Sequence, residues 1–177
     1  MSLHPVPLDF EARCSAVFDA VMWSLARPGV MRDLPQAGLA QVVEALIDRE
    51  CAVHCRDEAL AMLARRTGAE LAGLEAADHV FAETVTPEMP DRLACGSDLH
   101  PEDGATLVAG AVFGTGQRLR LSGPGVDGEV IVTIGGLPGD FWQRRARAMR
   151  YPMGFEMLLV DGARLIGVPR STVVEVL

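Results

Sequence analysis

The chain has 177 residues, of which 49% are hydrophobic and 23% are charged, as expected for one globular domain with a sizeable core. Its formal net charge of −8 at pH 7 disfavours binding to nucleic acid or to an anionic membrane. All 16 basic residues are arginine. Without lysine, the chain cannot form the Schiff base of a pyridoxal-phosphate enzyme or supply the lysine of a Walker A motif.

The N-terminal segment, residues 1–13, has no basic start followed by an apolar stretch. We therefore expect no signal peptide, and a cytoplasmic protein whose four cysteines are free thiols rather than disulfides. Charged residues interrupt every apolar stretch before it reaches the length of a membrane span, so we expect no membrane insertion.

Three amphipathic helices and one strand are predicted in the first part of the chain from apolar residues at helical spacing. Asp9 and Asp57 are expected to cap the first and third helices, which Pro28-Gly29 and Gly68 end. The predicted segments are a helix over residues 10–25, a helix over 39–48, a strand over 51–55 and a helix over 57–66.

The remaining sequence is rich in predicted strands, with Asp140 expected to open a helix through a capping box. Residues 83–104 are predicted to be a loop with one helical turn around residues 91–95. Strands interleaved with helices indicate an α/β fold, a mixed sheet between helical layers (α/β/α), in a single domain over residues 1–177. The predicted strands are residues 79–82, 105–113, 118–122, 130–134, 155–160, 163–168 and 172–176, and the helix is 140–149.

Residues 155–168 are predicted to form a β-hairpin, because Asp161-Gly162 separates two apolar runs. Alternate residues of the first run are apolar on both faces, as in a strand covered on each side. Glu156 is the exception, and a carboxylate in such a strand needs a partner. Arg170 and Arg27 are the candidate partners.

Cys51, His54 and Cys55 are too far apart in an extended strand to share a metal ion. The two cysteines would lie about 13 Å apart along the strand, whereas a thiolate binds zinc at about 2.3 Å. We interpret them as small core thiols. The other histidines, at positions 4, 79 and 100, form no metal-binding pattern, and we predict no metal site.

Arg27 and Arg170 are the candidate functional cations. Contact with a phosphate or phosphonate and a structural ion pair with Glu156 both remain open for them. The turn Gly123-Pro-Gly125 could present backbone amides to an anion, although a sheet connection that requires positive φ is the favoured interpretation. The cluster Arg144, Arg145, Arg147 and Arg150 is predicted to be a solvated helix face.

Five short motifs, in order along the chain, resemble the PhnH family, subunits of the bacterial carbon–phosphorus lyase system. The resemblance extends from about Phe10 to the C-terminus. Three positions depart from the family pattern: Glu156 replaces the usual Asp, Ser171 the usual Thr and Met153 the usual Leu. The motifs are LARPG at 25–29, EDGAT at 102–106, SGPGV at 122–126, YPMG at 151–154 and PRST at 169–172.

The resemblance implies a fold similar to that of pyridoxal-phosphate transferases, without the cofactor or its lysine. It also implies a homodimer in isolation and a place among sister subunits of a core complex. That complex transfers an alkylphosphonate to the ribose of ATP and releases adenine, with the main catalytic residues on sister subunits. The candidate ligand-binding residues are Arg27, Arg170, Thr172, Gly123 and Gly125, with Glu156 as a structural ion-pair partner; no cofactor is expected.

Two alternatives remain open at this point. The chain could be a free-standing enzyme or binding protein for a phosphorylated or phosphonylated small molecule, using Arg27, Arg170 and the turn at 123–125. The second alternative is a metal-dependent hydrolase, which would require stoichiometric metal in the purified protein.

Overall fold

A computed structural model of the protein describes residues 8–177. His4 and most of the segment on which the signal-peptide prediction rests lie outside this range. Within it, no helix is both long and apolar enough to cross a membrane. The described helices are α1 (Asp9–Ala26), α2 (Ala40–Leu46), α3 (Glu58–Thr67), α4 (Met89–Arg92) and α5 (Phe141–Ala148). The described strands are β1 (Arg32–Asp33), β2 (Ala52–Cys55), β3 (Glu70–Leu71), β4 (His79–Ala82), β5 (Thr106–Gly110), β6 (Val112–Ser122), β7 (Val130–Gly135), β8 (Glu156–Asp161), β9 (Arg164–Val168) and β10 (Val173–Val176).

The predicted mixed α/β fold is confirmed, but the strands divide into two sheets. In the described part of the chain, seven strands form a mixed sheet in the order β1-β9-β8-β5-β4-β2-β3. The pairs from β3 to β8 are parallel, whereas β9 and β1 are antiparallel at one edge. The other three strands form a separate antiparallel sheet in the order β10-β6-β7.

Each face of the large sheet carries its own hydrophobic core. On one face, helices α1, α2 and α3 pack against alternate strand residues such as Val108 and Leu158. On the other face, Leu107 and Met157 pack in a core shared with α5 and the three-stranded sheet. The second covering layer is therefore part helix and part sheet, which corrects the expectation of helical layers on both sides. The apolar alternation of β8 on both faces is confirmed.

The hairpin predicted over residues 155–168 is present, with its turn one residue later than expected. Asp161 stays in the ladder opposite Arg164, so Gly162 and Ala163 form the turn. The Asp161 carboxylate accepts hydrogen bonds from the Phe113 N–H, at 3.0 Å, and from the Arg164 guanidinium. These contacts keep Asp161 in the strand and leave the positive φ of 58° to Gly162.

The predicted caps are confirmed at both ends of α3, whereas the predicted N-caps of α1 and α5 are wrong. The Asp57 carboxylate accepts the N–H groups of the first turn of α3, and Gly68 ends the helix in the left-handed conformation. Asp9 is the first helical residue of α1 rather than its cap, because the residue before it is the N-cap. Asp140 caps no N–H of α5; its carboxylate binds Arg144 Nε at 2.6 Å instead.

Helix α1 approaches the hairpin closely at Gly167. A Cβ atom there would lie 2.5 Å from the backbone carbon and oxygen of Ser24, far inside van der Waals contact. The Gly167 carbonyl also accepts a hydrogen bond from the Gly29 N–H at 3.2 Å. Because Gly167 has no side chain, the backbone of α1 can lie this close to β9.

Replacing Gly167 by alanine is expected to destabilise the protein by at least about 2 kcal/mol, because the new methyl group forces α1 away from the sheet. Chemical unfolding of the purified variant measures the change. Gly73→Ala is the control, since nothing lies within 4 Å of a Cβ at that position. We expect it to stay within about 0.5 kcal/mol of the parent. Equal effects of the two substitutions would contradict the close packing of α1.

Candidate functional site

Arg170 joins several chain segments just after β9. Its Nε donates to one Glu156 carboxylate oxygen and its backbone N–H donates to the other at 2.7 Å. Its Nη1 donates to the carbonyl of Pro101 and, at 3.3 Å, to that of Pro152. The side chains of Arg170 and Glu156 are only 14% and 23% exposed. Of the two candidate partners of Glu156, Arg170 is therefore the one that pairs with it.

Two glycines allow the backbone to pack around the Arg170 guanidinium. A Cβ at Gly104 would lie 2.1 Å from the Gly154 carbonyl oxygen and 2.9 Å from Arg170 Nη1. Gly154 itself has φ 144°, and a Cβ there would meet the sulfur of Met149 at 2.7 Å. Close packing around Arg170 and Met149 thus accounts for the glycines of the EDGAT and YPMG motifs.

The turn that contains Gly123 and Gly125 lies between the end of α1 and the residues after β9. A Cβ at Gly123 would lie 2.8 Å from the Ser171 carbonyl oxygen, and one at Gly125 would lie 2.5 Å from that of Ala26. Both glycines also have positive φ, 123° and 81°. Packing and backbone conformation account for both residues, and anion binding by this turn stays a prediction.

Arg27 does not reach Glu156. It follows the last residue of α1, is exposed, and its N–H donates to the Trp23 carbonyl at 2.9 Å. Among the described residues, no carboxylate forms a salt bridge with it. A role for Arg27 in ligand binding stays a prediction. The alternative, an ion pair between Arg27 and Glu156, is not found, because Glu156 pairs with Arg170.

Arg145 is buried, which corrects the expectation that its cluster is a solvated helix face. It is only 2% exposed, and its guanidinium donates to the carbonyls of Thr172, at 3.2 Å, and Pro169, at 2.8 Å. Burial lowers the pKa of Arg145 to about 10, and the Glu156 charge opposes this shift, so the side chain is cationic at neutral pH. Helical spacing offered a signal for this, because Arg145 lies three and four residues after the buried Trp142 and Phe141.

Two adjacent cavities meet at Tyr151, Arg170 and Ser171. One, of about 280 Å³, also contacts Arg145 and Thr172. The other, of about 410 Å³, also contacts Pro124 of the glycine turn. The structure therefore brings Arg170, Thr172 and the 123–125 turn to one region of the surface. The remaining lining residues are Ala146, Met149, Val173 and Val174 in the smaller cavity, and Pro101, Glu102, Pro152 and Glu156 in the larger.

Cys51, His54 and Cys55 behave as separate side chains. His54 Nδ1 contacts the Ala72 carbonyl at 3.1 Å. Burial raises the pKa of Cys51 and raises that of Cys55 to about 11, so both thiols stay protonated at neutral pH. Among residues 8–177, no three side chains of His, Cys, Asp or Glu are grouped so that they could hold a metal ion.

Comparison with known proteins gives a family match over nearly the whole chain. The family model described as "Bacterial phosphonate metabolism protein (PhnH)" matches residues 9–175. The chain is also similar to HtxG of Stutzerimonas stutzeri, a protein provisionally described as a C-P lyase subunit. The two sequences are 32% identical over an alignment of 171 residues, and the match covers 90% of this chain and 85% of HtxG. The family match includes both sheets and the region around Arg170.

We expect Glu156→Gln to lower the free energy of unfolding by about 2–3 kcal/mol, because the largely buried Arg170 loses its counter-charge. Urea unfolding of the variant measures this change. The control is Glu175→Gln, which removes an exposed carboxylate that pairs with Arg120 at 2.8 Å. Its cost should stay below about 1 kcal/mol. An unchanged unfolding midpoint in Glu156→Gln would rule out a stabilising role for the pair.

Proposed function

The chain belongs to the PhnH family of bacterial phosphonate metabolism proteins, and from this membership we propose that it is a subunit of a carbon–phosphorus lyase core complex. In this proposal the complex transfers an alkylphosphonate to the ribose of ATP and releases adenine. The main catalytic residues lie on sister subunits, and this chain has a supporting role. The complex acts in the cytoplasm.

The observation that carries the proposal is the apolar outer face of α1. Val17 and Val21 on the inner face are buried in the core between the helices and the sheet. Phe18 and Met22, four residues apart on the outer face, are each about half exposed, and so is Phe10 in the first turn of the helix. A helix with apolar residues on two faces is usually covered by other protein on both of them. A sister subunit supplies the second covering layer in the proposed complex.

The exposed apolar surface continues beyond α1. Trp23, Val30 and Met31 are each more than two-fifths exposed. The Arg32 guanidinium lies 5.4 Å from the centre of the Trp23 ring, which places the end of α1 beside the start of β1. Large exposed apolar patches mark protein interfaces more often than free surface. We define the α1 surface as Phe10, Phe18, Met22, Trp23, Val30 and Met31.

The proposal extends to self-association and to fold kinship. We propose that the isolated chain is a homodimer, and that the fold is related to that of pyridoxal-phosphate transferases but has no cofactor. The absence of lysine from the sequence supports the cofactor-free assignment. Light scattering of the purified protein should give about twice the chain mass of 18.9 kDa. A mass equal to one chain would contradict the dimer.

Met22→Glu is expected to weaken the recovery of sister subunits at least ten-fold, because it places a charge in the centre of the α1 surface. The measurement is affinity purification of the tagged chain from bacteria grown on a phosphonate, followed by quantitative mass spectrometry. Met62→Glu on α3 is the matched control, since the two methionines are 51% and 48% exposed. We expect it to recover sister subunits normally.

Two outcomes of this experiment contradict the proposal. If the unmodified chain recovers no sister subunit, it is not a member of such a complex. If both variants lose the partners equally, the α1 surface is not the contact. Thermal unfolding of each variant confirms beforehand that the fold is intact.

A further inference from the structure

The charged residues that line the smaller cavity, between α5 and residues 170–174, are all cationic. Its volume is about 280 Å³, just below the usual range for small-molecule pockets, which is about 300–1,000 Å³. Two arginines, Arg145 and Arg170, are among the residues that line it. No carboxylate is among the residues that line it, although the chain as a whole has a net charge of −8.

The two arginines differ in how their charges are compensated. Arg170 is paired with Glu156. The hydrogen bonds of Arg145 go to two neutral carbonyls, and its Nε has no partner among the described residues. A buried cation held only by neutral dipoles retains a large desolvation cost, and an anion beside it would offset that cost. Arg145 therefore has no ion-pair partner at contact distance among the described residues, and the charge of Glu156, which pairs with Arg170, acts on it only from farther away.

A buried hydroxyl accompanies this cation. Thr172 is 2% exposed, and its Oγ1 has no hydrogen-bond partner among residues 8–177. Ser171 and Tyr151 contribute further hydroxyl groups to the same lining. Guanidinium and hydroxyl donors in a lining that contains no carboxylate favour a tetrahedral or planar oxyanion.

The rest of the lining is apolar. Ala146 and Met149 come from α5 and its end, and Val173 and Val174 come from β10. An inorganic oxyanion gains nothing from these four side chains. An oxyanion with a small alkyl group would place its charge at Arg145 and its carbon against them.

From this geometry we propose that the cavity binds a small alkyl-bearing oxyanion of the alkylphosphonate or phosphate-ester class. Arg145 supplies the positive charge and the Thr172 hydroxyl donates a hydrogen bond to an anion oxygen. The choice of a phosphonate as probe rests on the proposed function, whereas the oxyanion site rests on Arg145 and Thr172. No reaction is assigned to the site.

Calorimetry of the purified full-length chain tests the site with methylphosphonate, ethyl phosphate and inorganic phosphate as separate probes. We expect saturable binding of one anion per chain, with the two alkyl-bearing probes tighter than inorganic phosphate. Bound anion should also raise the unfolding midpoint, and sodium chloride at equal ionic strength should not. No heat and no shift of the midpoint with any of the three probes would overturn the proposal.

Two variants locate the binding in the cavity. Thr172→Val keeps the side-chain shape and should weaken binding about ten-fold or more. Ala146→Trp should abolish binding by filling the cavity from an exposed helix position. Gln143→Trp, exposed on the same helix but outside the lining, is the control and should bind normally. Normal binding by both Thr172→Val and Ala146→Trp would overturn the assignment.

These measurements are independent of complex formation. Arg145 itself is a poor test position, because it also donates to the carbonyls of Pro169 and Thr172 and its loss would disturb the fold. An isolated chain that binds no anion but recovers sister subunits would overturn the cavity proposal alone. A chain that binds the anion but recovers no sister subunit would overturn the proposed function alone.

Discussion

The ion pair between Arg170 and Glu156 is the contact on which the C-terminal part of the structure depends. It joins the start of β8, inside the large sheet, to the residues that follow β9. The same guanidinium holds the carbonyls of Pro101 and Pro152. Arg145 holds the turn from its other side through the carbonyls of Pro169 and Thr172. Two arginines thus fix one short turn, and that turn forms a wall of both cavities.

This arrangement gives a physical reason for the glycines in three of the motifs by which the sequence resembles the family. The glycines at positions 104, 123, 125 and 154 lie far apart in the sequence, yet each allows a close backbone approach near residues 169–172 or the end of α1. A side chain at any of them would push one segment away from the others. These glycines therefore reflect a packing requirement, as expected for a subunit with a rigid surface. Arg145, whose hydrogen bonds go only to carbonyls, is the residue that points to a ligand.

Local features of the fold were predictable from the sequence, whereas choices between competing partners were not. The caps of α3 and the need of Glu156 for a cation follow from single residues and their neighbours. Asp140 had two possible partners, the helix N–H groups and Arg144, and the sequence does not rank them. Strand patterns likewise do not say that β6, β7 and β10 form a separate sheet. Arg145 was missed because a charged cluster suggested solvent, although its spacing from Phe141 and Trp142 indicated the core.

A double-mutant cycle on Glu156 and Arg170 tests the central contact most directly. The free energies of unfolding of Glu156→Gln, Arg170→Gln and the double variant give the coupling between the two side chains, free of effects that each substitution has alone. We expect a favourable coupling of about 2 kcal/mol or more, since both side chains are less than a quarter exposed. Additive effects, with a coupling near zero, would contradict it.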